Sequence, residues 1–70
     1  MNYYTALEAL ERAARNLALA EAEATDAREI AFVRGMYYRA VKNARLEGAN
    51  VDQIEQAIDR GTLLVKVSNA

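Results

Sequence analysis

Val41-Lys42-Asn43-Ala44-Arg45-Leu46-Glu47-Gly48-Ala49-Asn50-Val51-Asp52-Gln53-Ile54-Glu55-Gln56 reads as two helices meeting at a glycine. Gly48 ends the first and Asn50 starts the second. Asn50 is a good N-cap, and Gln53 stands three residues on, where a capping box returns a hydrogen bond to the cap. Beyond the corner, Val51, Ile54, Ala57 and Ile58 share one face of the second helix. This stretch sets the fold class, because it makes the chain turn between helices rather than between strands.

Upstream of the corner, Ile30, Val33, Tyr37, Ala40, Val41 and Ala44 fall on one side of a helix running from about 26 to 47. Phe32 and Met36 widen its apolar surface past a single stripe, which predicts cover on two sides. Gly35 lies inside this helix, where glycine costs about 1 kcal/mol relative to alanine. Its use is either close helix approach, together with Ala31 one turn earlier, or none. An earlier helix is expected over about 5–24. Thr5 and Glu8 have capping-box spacing, and Leu7, Leu10, Ala14 and Leu17 form its inner face with Ala6, Ala13, Ala18 and Ala24. Glu8–Arg12 and Glu11–Arg15 are i,i+4 pairs on its other side. Thr25-Asp26, with Glu29 three residues after the aspartate, reads as a restart between the two helices. A single helix from Thr5 to Leu46 would be ~60 Å long with no way to bury its own face.

Downstream, Gly61 follows Arg60 and has the chemistry of a C′ residue, so the third helix is expected over about 51–60. Thr62-Leu63-Leu64-Val65-Lys66-Val67 is apolar and largely β-branched. It reads as a short extended tail, either a strand paired across a dimer axis or an arm over the helices; a continued helix is the competing reading.

Composition agrees with helices. Seventy residues contain no proline and three glycines, and alanine recurs throughout the first 60. A chain this short buries only about 60% of its unfolded surface. With no cysteine or histidine, a disulfide staple and the usual zinc ligands are lacking, so association is the remaining way to bury the 53% apolar residues. At least a dimer is expected. The net charge of −1 gives no bulk attraction for nucleic acid or anionic lipid. No apolar run approaches the ~18 residues of a membrane span, and Met1–Leu10 lacks the pattern of a secretory leader. The cytoplasm is the expected location.

Two kinds of surface stand out. Arg34, Arg39, Lys42 and Arg45 cover an arc of about 140° on the middle helix, opposite its apolar face, with Tyr38 inside the arc. Cations interleaved with an aromatic suit a phosphate backbone or a nucleobase. They suit equally an acidic protein partner, or the chain's own acids at Glu21, Glu23, Asp52, Glu55 and Asp59. The second kind is apolar: Tyr3, Tyr4, Phe32, Met36, Leu63, Leu64 and Val65 are candidate oligomer or partner contacts. Each tyrosine pair, Tyr3-Tyr4 and Tyr37-Tyr38, points about 100° apart on a helix, one ring inward and one outward. Catalysis finds no support, since the only serine is Ser68, the glycines are isolated, and Glu21 and Glu23 diverge on a helix.

Ala44-Arg45-Leu46-Glu47-Gly48-Ala49-Asn50-Val51-Asp52-Gln53-Ile54, followed by Ile58, resembles the front half of a helix-turn-helix domain of small actinobacterial and actinophage proteins. The resemblance covers under a third of the chain and implies DNA binding through a following polar reading helix. At three places the chain departs from that pattern. Glu55 replaces a small residue after the isoleucine, Gly61 comes two places late, and Leu63-Leu64-Val65 stands where a polar helix belongs.

The expectation is therefore one all-α domain over residues 1–70, with three helices at about 5–24, 26–47 and 51–60, the first two forming a long hairpin, and a short extended tail. The first functional reading is a small self-associating interaction or regulatory protein of a bacterium or phage, with a protein partner ahead of nucleic acid. No enzyme activity, cofactor, metal, membrane or small-molecule substrate is expected. A helix-turn-helix DNA-binding regulator is second.

Overall fold

The structure, a computed structural model, describes residues 3–23 and 26–68, and the side chains of all of these except Leu64, Lys66, Val67 and Ser68. Three helices account for nearly all of it: α1 (Tyr3–Ala22), α2 (Ala27–Leu46) and α3 (Val51–Ser68). No strand occurs among the described residues.

Helix α1 begins at Tyr3, two residues ahead of the expected Thr5. Thr5 thus stands in the first turn, not at the cap. Ala24 and Thr25, the expected helix end and restart, lie outside the described residues. The restart is visible at Asp26, whose carboxylate accepts the Arg28 amide at 2.8 Å while its carbonyl accepts the Ile30 amide at 3.1 Å. An aspartate here also places negative charge at the positive end of the α2 dipole.

The corner after α2 is built from local chemistry. Gly48 has φ of 102°, a conformation that costs a residue with a Cβ about 1–2 kcal/mol. Its amide donates to the Arg45 carbonyl at 3.1 Å and the Ala49 amide to the Ala44 carbonyl at 3.0 Å, the paired bonds of a Schellman closure. Ala44 and Ala49 are both buried beneath it. One residue on, the Asn50 amide donates to Gln53 Oε1 at 2.9 Å, and the Gln53 amide donates to Asn50 Oδ1 at 2.8 Å. This is the reciprocal capping box expected from the sequence.

The C-terminal expectation fails. Helix α3 does not stop near residue 60; it runs to Ser68, and Thr62–Val67 is helical, not an extended arm. Gly61 is a buried interior residue of the helix, not its C′ cap. A Cβ at Gly61 would collide with the Glu11 carbonyl oxygen and stand 3.1 Å from the Arg15 nitrogen and 3.2 Å from Ala14 Cβ. The missing side chain is what lets α3 lie against α1. Thr62 joins the helix by turning its hydroxyl onto it, Oγ1 donating to the carbonyls of Ile58 (3.0 Å) and Asp59 (3.2 Å). At Gly35, whose expected use is either close approach or none, a Cβ would meet nothing within 4 Å, which fits the second. Close helix approach thus falls to Gly61 and not to Gly35.

The core joins Ala6, Leu7 and Leu10 of α1 to Ala44, Ala49, Ile54 and Ala57, with Tyr3, Tyr37, Ala40, Val41 and Ile58 packed around them. Ala14 and Val65 are buried as well. Alanine dominates, so the helices come close and each buried residue contributes little area. Leu10 is the largest side chain to be sealed off completely. Helix α1 packs along both of the others, whereas α2 and α3 hardly touch. Three helices laid side by side in this way make a slab of 34 × 26 × 16 Å with broad open faces.

Candidate functional site

Helix α2 carries two adjacent surfaces. Its inner side, Tyr37, Ala40, Val41 and Ala44, is spent on the core. On the opposite side, Arg34, Tyr38, Arg39, Lys42 and Arg45 are all exposed, as the wheel predicts. Arg34 Nη2 lies 3.4 Å from Glu21 Oε2, with both side chains about half exposed, a weak tie to α1. Arg39, Lys42 and Arg45 make no ion pair among the described residues. The acids of α3 leave the arc alone: Asp52, Glu55 and Asp59 are exposed, and the α3 cation Arg60 donates from Nε to Glu11 Oε1 at 2.8 Å instead.

Between these two sides runs an apolar flank. Phe32 is 69% exposed and Met36 50%, although a wide apolar surface predicts cover on two sides. They border a trough between α1 and α2, in two stretches of about 510 and 290 Å³ that share Asn16 and Val33. The α1 wall is Ala9, Ala13, Asn16, Leu19 and Ala20. The strength of the core stripe hides this wall in the sequence. Its signal is the spacing of Ala9, Ala13, Asn16 and Ala20, one small residue per turn on a face distinct from the core face of Leu7, Leu10 and Ala14.

The tyrosine pairs divide as expected. Tyr3 and Tyr37 are half-buried against the core, Tyr4 and Tyr38 exposed. The rings of Tyr3 and Tyr4 are 4.4 Å apart at 32°, and those of Tyr37 and Tyr38 5.5 Å apart at 58°. The hydrogen bond with Tyr3, and the charge an ionised Tyr3 would carry, raise the Tyr4 phenol above its ordinary value. Burial, then the neighbouring Tyr38, raises Tyr37. Both phenols thus stay neutral and able to donate at physiological pH.

The C-terminal candidates do not form one surface. Leu63 is exposed, but Val65 is buried against the chain's own helices and so is not available as a partner contact. The Leu64 side chain lies outside the described residues. Among the described residues no group of acids could hold a metal ion, and no helix is long and apolar enough to cross a membrane. No family model matches this chain, and neither a curated protein nor a solved structure matches it significantly.

Proposed function

We propose that this chain is a small self-associating helical interaction or regulatory protein, a bacterial or phage accessory factor of the cytoplasm. Its α1–α2 pair forms a helical hairpin that presents binding surfaces and performs no chemistry of its own. One observation carries the reading. With α2 and α3 leaning on α1 and hardly on each other, Tyr4, Phe32, Met36, Tyr38, Leu46, Val51 and Leu63 remain exposed. Among them Phe32 and Met36, one turn apart beside the same trough, form the kind of contiguous apolar patch that marks interaction sites. The accessible surface of 4999 Å² exceeds the ~4,400 Å² of a compact folded monomer of this mass, as a flat, open body would, and such faces suit an interaction protein. Sedimentation tests self-association directly. A capture experiment with wild type beside a Tyr38→Ser, Leu63→Ser variant tests partner binding: the partner should be retained by the first and lost by the second while both stay helical. A single folded monomer with no differential partner would overturn the reading.

A DNA-binding regulator is the second reading, favoured by Tyr38 exposed together with Arg39, Lys42 and Arg45, cations that make no ion pair among the described residues. Against it, α3 passes straight through Gly61, with no turn into a separate reading helix. Retardation of duplex DNA at low salt, abolished by Arg39→Glu with Arg45→Glu, would promote it.

A further inference from the structure

We infer that the trough between α1 and α2 is the self-association face, and that its occupant is the same face of a second copy, set antiparallel about a two-fold axis. The inference rests on the self-associating reading and supplies its geometry. Phe32 and Met36 stand two residues either side of Arg34, and Glu29 and Arg39 stand five residues either side of it. Positions 29, 32, 36 and 39 are spaced to lie along one side of a helix. A two-fold axis crossing α2 at the level of Arg34 therefore puts Phe32 opposite the second copy's Met36, and Glu29 opposite its Arg39. Each contact occurs twice, as an isologous interface requires.

The trough has the matching polarity. Glu23, Arg28 and Glu29 line one end, with a net charge of −1. Arg12 lines the other end, next to Met36, and Arg39 follows one turn further along α2, for a net charge of +2. The two-fold operation lays the acidic end of each copy on the basic end of the other. A parallel arrangement would stack like on like. The α1 wall of alanines gives the trough its depth, so that a phenyl ring and a thioether from the second copy can enter between the helices. A thioether beside a ring is a favourable pairing in its own right.

Sedimentation and native mass spectrometry of the whole chain provide the test. Phe32→Glu should raise the dimer dissociation constant about 30-fold or more without lowering the melting temperature of the monomer, because the ring is exposed there. Glu29→Arg and Arg39→Glu should each weaken self-association, since each sets like charges opposite one another. Mixed together, these two variants should form a heterodimer, because each supplies the charge the other lacks. A wild-type dimer that ignores Phe32→Glu, or variants that fail to pair on mixing, would overturn this face and leave self-association standing. A wild type that stays monomeric up to about 100-fold above a micromolar Kd would overturn both.

Discussion

Replacing Gly61 by alanine tests the packing that distinguishes this fold from the one the sequence pattern suggests. The substitution adds one methyl group in the middle of α3, which by intrinsic propensity should stabilise the helix by about 1 kcal/mol. The new Cβ, however, meets the Glu11 carbonyl oxygen, the Arg15 nitrogen and Ala14 Cβ. Two of those three atoms are backbone, so no rotamer change relieves the contact and α3 must move off α1. Overpacking of this kind costs about 1–3 kcal/mol. With backbone on the receiving side we take the upper end, for a net loss of about 2 kcal/mol after the propensity gain. In a chain this small that lowers the melting temperature by roughly 8–16 °C. Circular dichroism at 222 nm during a thermal scan reads it. Gly35→Ala is the internal control: same helical setting and same propensity gain, but open space around the Cβ, so it should raise the melting temperature by about 4–8 °C. Gly61→Asn separates the alternatives further. Asparagine is tolerated at a C′ position but is bulkier than alanine against α1, so it should destabilise more than alanine does. Refutation would be a Gly61→Ala protein melting at or above wild type, or Gly61→Asn milder than Gly61→Ala.

Leu10→Ala should cost about 2–5 kcal/mol, most of the stability of a domain this size, because Leu10 is the largest fully buried side chain in a core dominated by alanine; urea denaturation would show a chain unfolded at or near zero denaturant. Asn50→Ala removes one half of a reciprocal cap and should lower stability by about 1 kcal/mol, with Asn50→Asp recovering most of it in the same denaturation curves. On the alkaline side, Tyr37 should contribute to unfolding. Its folded-state value is raised by burial, so the associated stability is complete below the ordinary tyrosine value near 10 and is lost as pH rises through the higher folded value. Absorbance at 295 nm should show two late-titrating phenols, Tyr4 and Tyr37, of which one disappears in Tyr37→Phe, and that variant should unfold less steeply with rising pH.

What can be read from the chain follows the range of the interactions involved. Asp26, Gly48 and the Asn50–Gln53 pair cap helices through bonds spanning five residues or fewer, so the two breaks and the corner are legible. The basic arc needs only helical periodicity, and Tyr38, Arg39, Lys42 and Arg45 are where the wheel places them. Residues 61–68 mislead because the deciding interaction is remote. The β-branched run argues against helix only weakly, and burial of Val65 and the contact of Gly61 with α1 override it. A clue is present in the spacing of Ile54, Ala57, Ile58, Gly61 and Val65, which continues one helical stripe across the expected stop. A glycine after arginine satisfies both a helix cap and a close crossing, and only the partner helix says which. Phe32 and Met36 show the same limit: periodicity marks them as apolar, but their exposure depends on α3 lying on the far side of α1.

The side-by-side arrangement also sets an order of assembly. Arg34 reaches α1 across 13 residues of chain, but Arg60 reaches it across 49. Closing the longer loop costs roughly 1 kcal/mol more in chain entropy. Since α3 draws almost nothing from α2, it is held by α1, through the core residues Ile54 and Ala57 and the Arg60–Glu11 pair. The longer closure therefore predicts the earlier opening: amide hydrogen exchange should show α3 amides exchanging ahead of those around Leu10 in α1.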